Sequence, residues 1–192
     1  MRTYFVATVL LLLILSVSIT GCSSVTPTTP TNQLSTKDPS EMALQLSDLP
    51  EGYQIQSRGE TTRSDVSYIF QDATYGWTKG YSVGFLNSDG TFILHDISIF
   101  DIDQMDGILF LKGKSILVMS NATNSVDQLS DPNIGDSSKA YRIKRTIDGQ
   151  TITAYTIVFT KKDVFEQVIM SGTMTDYEIL KNLAKIAAAK IN

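Results

Sequence analysis

Cysteine, histidine and tryptophan each occur only once among the 192 residues of this chain. The single cysteine, Cys22, can form no disulfide within the chain. The single histidine, His95, cannot build a zinc site from several imidazoles. Basic residues are also scarce, with 16 Lys and Arg against 20 Asp and Glu. Since phosphate contacts need clustered Lys and Arg, we expect no nucleic-acid partner, and the residue types predict no metal site and no cofactor.

A long apolar run occurs near the N-terminus, where residues 5–19 follow Arg2. A basic start, an apolar stretch of about 7–15 residues and small residues at its end are typical of a secretory signal peptide. A helix that spans the hydrocarbon core needs roughly 20 apolar residues, so a permanent transmembrane helix is less favoured. The sequence therefore predicts a signal peptide over residues 1–21 and an exported protein, with an uncleaved signal anchor as the alternative.

The apolar run ends in Ile19-Thr20-Gly21-Cys22. This tetrapeptide resembles the lipobox of prokaryotic lipoproteins, which consists of an aliphatic residue, a small residue, Gly or Ala, and Cys. The resemblance implies cleavage before Cys22, lipidation of that cysteine and anchoring of the protein to the outer face of the cell membrane. The alternative is an ordinary signal peptide followed by an incidental cysteine.

Two regions follow the signal peptide. Residues 22–38 combine Cys22 with a stretch rich in Ser, Thr and Pro, which has too few apolar residues to fold and predicts a tether. Residues 39–192 are long enough for a single globular domain. Without residues 1–21 the chain keeps 15 basic and 20 acidic residues, which argues against electrostatic adhesion to anionic lipid as its main membrane attachment.

Periodicity within residues 39–192 predicts an α+β domain. Apolar residues at spacings of three and four predict helices, and alternating residues or turn sequences predict strands. The predicted order is α-β-α-β-β-α-β-β-β-α, with helices at 39–46, 64–77, 103–119 and 175–191 and strands at 53–58, 81–86, 91–100, 141–147, 150–156 and 164–171. Short turns between successive strands require antiparallel pairing, so we expect an antiparallel sheet of about five to six strands packed with helices.

Asp148-Gly149 is a strong signal for a two-residue hairpin turn. Such a turn places Ile147 opposite Gln150 and Tyr141 opposite Thr156. Near the turn the face that carries Ile147 is the more apolar, so we expect that face to point to the core.

The segment Leu46–Tyr53, the dipeptide Gly135-Asp136 and the closing hairpin resemble features of small extracellular domains of prokaryotic lipoproteins of unknown role. More distantly, the layout is similar to PsbP-like sandwiches. The resemblance implies a fold and a non-catalytic tendency, and it implies no role for any single residue.

Gly80-Tyr81-Ser82-Val83-Gly84 fits the G-x-S-x-G pattern of a hydrolase nucleophile elbow, with His95 as the available base. The elbow needs a sharp turn from a strand into a helix, whereas the residues after Gly84 predict more strand and then a hairpin turn. An envelope hydrolase that uses Ser82 and His95 is therefore an alternative hypothesis, and no catalytic residue is predicted. In the simpler interpretation, the two glycines allow close packing within a strand.

Three aromatic residues, Tyr53, Trp77 and Tyr81, are weak candidates for a ligand-binding surface. Trp77 also falls on a predicted helical stripe, which favours core packing for this residue. Asn121-Ala122-Thr123 fits the N-glycosylation pattern, which matters only in a host that modifies exported proteins.

The sequence favours a non-enzymatic module that binds an unknown protein or small-molecule partner outside the cell and is attached to the membrane through lipid on Cys22. The alternatives are the hydrolase that uses Ser82 and His95 and a structural surface protein without a specific ligand. A binding module predicts a concave or apolar site. The hydrolase requires Ser82 and His95 within hydrogen-bonding reach of each other.

Overall fold

The structure is a computed structural model that describes residues 34–65, 76–120, 123–147 and 149–192. Its strands are β1 Tyr53–Thr61, β2 Trp77–Asn87, β3 Phe92–Phe100, β4 Asn124–Gln128, β5 Ser137–Ile147, β6 Gln150–Lys161 and β7 Val164–Gly172. Its main helices are α1 Pro39–Met42, α2 Met105–Leu117 and α3 Tyr177–Lys190, and short 3-10 turns cover Leu46–Asp48 and Ile102–Gln104. Within the described residues, no helix has the length and apolar character needed to cross a membrane.

The seven strands form one sheet in the order β1-β2-β3-β7-β6-β5-β4. Every neighbouring pair is antiparallel. The chain therefore builds one half of the sheet from β1 to β3 and the other half from β4 to β7, and the two halves meet where β3 pairs with β7. This central pairing brings residues 92–99 and 164–171 together across about 70 residues of sequence.

The prediction of about five to six strands in the stated order is wrong. Strand β4 was not predicted, because its sequence holds one apolar residue, Val126, and lacks alternation. Its conformation comes from pairing with β5, which places Val126 opposite Ile143. The helix predicted at 64–77 cannot extend to Trp77, because Trp77 begins β2. Residues 66–75 lie outside the described ranges.

Each face of the sheet carries its own hydrophobic core. On the first face, α1 and α3 cover strand residues such as Ile97 and Val168. On the second face, α2 covers residues that include Phe100 and Phe165. Because side chains alternate along a strand, neighbouring residues of β3 and β7 lie on opposite faces, and both strands contribute apolar residues to each core.

Helix α3 lies within the helix predicted at 175–191 and begins two residues later. Asp176 caps the helix, because its carboxylate accepts hydrogen bonds from the backbone N–H groups of Glu178 and Ile179. Apolar residues at spacings of three and four lie on one side of α3 and are buried in the first core, with Tyr177 partly buried against them: Leu180, Leu183, Ala184, Ala187 and Ile191.

The first and last segments of the domain are joined by hydrogen bonds. Lys37 Nζ donates to Lys190 O at 2.7 Å, and Lys190 Nζ donates to Ala43 O at 3.0 Å. Ser35 N donates to Asp163 Oδ1 in the β6–β7 turn at 2.7 Å. The C-terminal end of α3 thereby has a partner for one of the carbonyl groups that a helix end leaves free.

Helix α2 lies close to the sheet because of a glycine. A Cβ atom at Gly113 would lie 2.5 Å from Tyr141 Oη, which is closer than real contacts allow. Tyr141 is fully buried in the second core. Glycine at position 113 costs about 1 kcal/mol in helix propensity, but it allows the helix to approach β5 closely.

The β5–β6 hairpin has the predicted register, with Ile147 opposite Gln150 and Tyr141 opposite Thr156. The expectation for its core face holds at Tyr141 but is wrong at the tip. Ile147 is 42% exposed and Ile152 is 41% exposed. These exposures show that the described elements leave the tip of the hairpin uncovered on the second face.

Candidate functional site

A row of polar side chains crosses the middle of the second face. Ser82 of β2 lies directly opposite Asp96 of β3, and Ser82 Oγ donates to Asp96 Oδ1 at 2.6 Å. On the other side, Asp96 lies opposite Gln167 of β7, whose Nε2 donates to Thr156 Oγ1 of β6 at 3.1 Å. We refer to Ser82, Asp96, Gln167 and Thr156 as the polar row.

Helix α2 places one charged side chain against this row. Lys112 is only 7% exposed, although α2 is otherwise apolar on the side that packs on the sheet. Burial lowers the pKa of Lys112 to about 8, and the negative charge of Asp96 opposes this shift. Burial also raises the pKa of Asp96, against the effects of the Ser82 hydrogen bond and of the positive charge of Lys112.

The polar row borders an apolar surface that is only partly covered. Phe92 and Leu94 of β3 and Ile169 of β7 point to the second face and are half-buried. Helix α2 packs on β4 to β7 and leaves this part of β2 and β3 without a helix among the described residues. A ligand that carries a polar group and an apolar part would find both kinds of contact side by side.

His95 lies on the first face in a closed environment. Leu44 N donates to His95 Nδ1 at 3.2 Å, which places the imidazole proton on Nε2, 3.1 Å from Glu166 Oε2. Both side chains are fully buried. The pair therefore lies inside the first core, where no substrate can reach it.

Ser82 and His95 do not come together. Their strands pair Ser82 with Asp96 and Val83 with His95, so the two side chains lie on opposite faces of the sheet. Strand β2 also continues through Gly84 to Asn87, without the turn into a helix that a nucleophile elbow requires. The geometry that the hydrolase hypothesis requires is not present at these two residues.

The three aromatic candidates do not form one surface. Tyr53 and Tyr81 are half-buried against the first core, and burial raises the pKa of Tyr53. Trp77 is buried in the second core, on the other side of the sheet. Cys22 and Asn121 lie outside the described residues.

The polar row was missed because the sequence gives only an indirect signal for it. Asp96, followed by Ser98, interrupts the alternate apolar positions Phe92, Leu94 and Phe100 of β3, and Lys112 interrupts an apolar helix. Each is unusual alone, but nothing in the sequence pairs them. Over the described ranges, no three His, Cys, Asp or Glu residues are grouped so that they could hold a metal ion.

No protein-family model matches this chain, and no curated protein matches it. Among solved structures, the chain is similar to the extracellular domain of PknH from Mycobacterium tuberculosis, with a TM-score of 0.63 and 10% sequence identity. The similarity covers 79% of this chain and 94% of that chain. At this identity the similarity shows a shared fold alone; the lipobox and the PsbP-like layout are not confirmed by it.

Proposed function

We propose that this chain is an exported lipoprotein, held to the outer face of the cell membrane by lipid on Cys22, whose domain is a non-catalytic binding module. The signal peptide and lipobox features of residues 1–22 support export and lipidation. The fold gives coarser support, because it is shared with a domain that is described as extracellular.

The observation that carries the binding role is the polar row with Lys112. Charged groups are rarely buried unless they are paired, and removing them from water opposes folding. Here a buried lysine and a largely buried carboxyl group lie beside half-buried Phe92, Leu94 and Ile169. We infer an amphiphilic ligand whose polar group contacts Asp96 and Lys112 and whose apolar part lies on the neighbouring surface.

The anchor is tested by comparing the wild-type chain with Cys22→Ser in a host that makes lipoproteins. We expect the wild-type protein to lose residues 1–21, to gain the mass of acyl chains and to enter the detergent phase on partitioning. Cys22→Ser should show neither the added mass nor the detergent partitioning. A wild-type chain that keeps residues 1–21 and carries no acyl mass would contradict the anchor.

The binding role is tested by a thermal-shift screen of residues 22–192 carrying Cys22→Ser, against metal ions and amphiphilic envelope metabolites. A ligand at 100 times its Kd stabilises the folded state by about 2.7 kcal/mol, which raises the Tm by several degrees. We expect Asp96→Asn to abolish the shift. Asp127→Asn serves as the control, because it makes the same change of charge at an exposed ion pair with Arg142. This variant should show the same thermal shift as the wild type.

A structural surface protein without a ligand predicts no shift from any compound. If a compound stabilises Asp96→Asn as strongly as the wild type, the ligand binds elsewhere and the polar row has a structural role. If catalysis takes place at the row, the same compound should be converted by the wild-type protein, which mass spectrometry of the mixture would detect.

A further inference from the structure

The outer surface of α2 carries large apolar side chains that no described element covers. Phe110 is 60% exposed and Val118, just after the helix, is 70% exposed. Leu111, Leu117 and Met119 are also exposed. The helix is therefore apolar on both sides, although a helix at the surface of a soluble domain normally has a polar outer face.

The tip of the β5–β6 hairpin extends this apolar surface. Exposed Ile147 and Ile152 point to the second face, as α2 does. The end of α2 lies beside this hairpin, because Asn124 Nδ2 donates to Met119 O at 3.5 Å and Asn124 pairs with Arg145. We name the following residues the apolar stripe: Phe110, Leu111, Leu117, Val118, Met119, Ile147 and Ile152.

Basic side chains accompany the stripe. Lys114 is exposed one turn from both Phe110 and Val118. Lys139 Nζ lies 5.7 Å from the centre of the Phe110 ring, and Arg145 is exposed on the same face of β5 as Ile147. Bulky apolar residues with lysine and arginine around them are typical of helices that lie in a membrane interface.

The chain enters the domain near the start of α2. Ser35 N bonds to the Asp163 side chain, and Asp163 O accepts a hydrogen bond from Phe100 N at 2.9 Å. Helix α2 begins five residues after Phe100. About 12 residues separate Cys22 from this entry point, and a chain of that length spans at most ~40 Å. Helix α2 is ~20 Å long, so lipid on Cys22 and the whole stripe can reach one bilayer.

We propose that the apolar stripe docks on the surface of the bilayer that carries the anchor. Phe110, Leu117 and Val118 enter the interface, while Lys114, Lys139 and Arg145 contact anionic headgroups. Apolar burial supplies most of the attraction, which is consistent with the acidic net charge of the whole chain. The claim that the stripe faces the same bilayer that holds Cys22 rests on the proposed lipid anchor. The affinity of the stripe for lipid does not depend on the anchor.

The test uses residues 22–192 with Cys22→Ser, which carries no lipid. This protein retains the compact unit Asn32–Asn192 and every residue of both cores, so it folds without the signal peptide. It is sedimented with vesicles of phosphatidylglycerol and phosphatidylethanolamine in equal parts, and with phosphatidylcholine vesicles. We expect binding to the anionic vesicles and weaker binding to phosphatidylcholine.

Phe110→Gln combined with Val118→Gln should weaken binding to the anionic vesicles by about tenfold or more, because two large apolar groups are lost. The control combines Leu46→Gln with Ile179→Gln, two exposed apolar residues away from α2, and should bind like the parent protein. Unchanged circular dichroism and Tm show that both variants fold.

Equal binding by the two double variants, or no binding by the parent protein, would overturn the proposal. Sedimentation equilibrium tests whether a second copy of the chain covers the stripe instead of lipid. If the parent protein binds no vesicles but forms a dimer, and the variant with Phe110→Gln and Val118→Gln does not, the stripe is an interface between copies. Failure of the lipid anchor would leave these vesicle results unchanged and would appear only in the mass of the wild-type protein.

Discussion

His95→Leu is expected to lower the free energy of unfolding by about 4 kcal/mol. The substitution leaves the buried Leu44 N–H without its acceptor and the buried Glu166 carboxyl group without its donor. An unsatisfied buried polar group costs about 1–3 kcal/mol, and a carboxyl group costs more. Glu166 Oε1 already has no hydrogen-bond partner among the described residues, so the carboxyl group would then lack any. Urea unfolding followed by the fluorescence of the single tryptophan, Trp77, measures the change.

Two further variants separate the role of the pair from a general packing effect. Glu166→Gln keeps an oxygen acceptor for His95 Nε2 and should change stability by less than about 1.5 kcal/mol. His95→Leu combined with Glu166→Leu removes both polar groups and should recover part of the loss, because replacing both partners of a buried hydrogen bond by apolar groups is often nearly neutral. A double variant that is less stable than His95→Leu alone would contradict this account.

Lys112→Met is expected to raise the free energy of unfolding at pH 7 by about 2 kcal/mol. Burial lowers the pKa of Lys112 to about 8, so its charged form opposes folding at pH 7, and methionine removes that charge while it keeps a long apolar side chain. The lost attraction to Asp96 is the smaller effect, because burial outweighs it at both groups. Urea unfolding of both proteins measures the change, and a variant less stable than the wild type at pH 7 would contradict this account.

The same lysine gives a pH dependence with a defined sign. Its pKa is about 8 in the folded state and 10.5 in the unfolded chain, so the unfolded state binds more protons between these values. The stability of the wild type should therefore rise between pH 8 and pH 9.5, by about 1.5 kcal/mol from this group. The rise should be absent in Lys112→Met and unchanged in Lys114→Met, a control at an exposed position two residues away. Parallel curves for all three proteins would contradict the assignment.

Local sequence signals predicted those parts of the fold that local chemistry determines. The spacing of Leu180, Ala184 and Ala187 located α3, and Asp148-Gly149 gave the register of β5 and β6. Strand β4 has no such signal, because pairing with β5 creates it. An edge strand with a single apolar residue is indistinguishable from a loop until its partner is known.

The candidate site was harder to predict for a related reason. The sequence drew attention to Ser82, but it suggested His95 as the partner because that was the only histidine. A shift of one residue along a strand moves a side chain to the other face, and Asp96 is the residue that Ser82 contacts. Lys112 joins them only through the packing of α2 on the sheet, which no local pattern in residues 105–117 encodes.

The joined termini of the domain have a mechanical consequence. Tension on the chain before Ser35 arrives at the β6–β7 turn and, through Lys37, at the last carbonyl groups of α3. Both points lie at the centre of the architecture, away from the edge strands β1 and β4. These hydrogen bonds must therefore break before tension on the chain before Ser35 can pull on α1 and then on the edge strand β1.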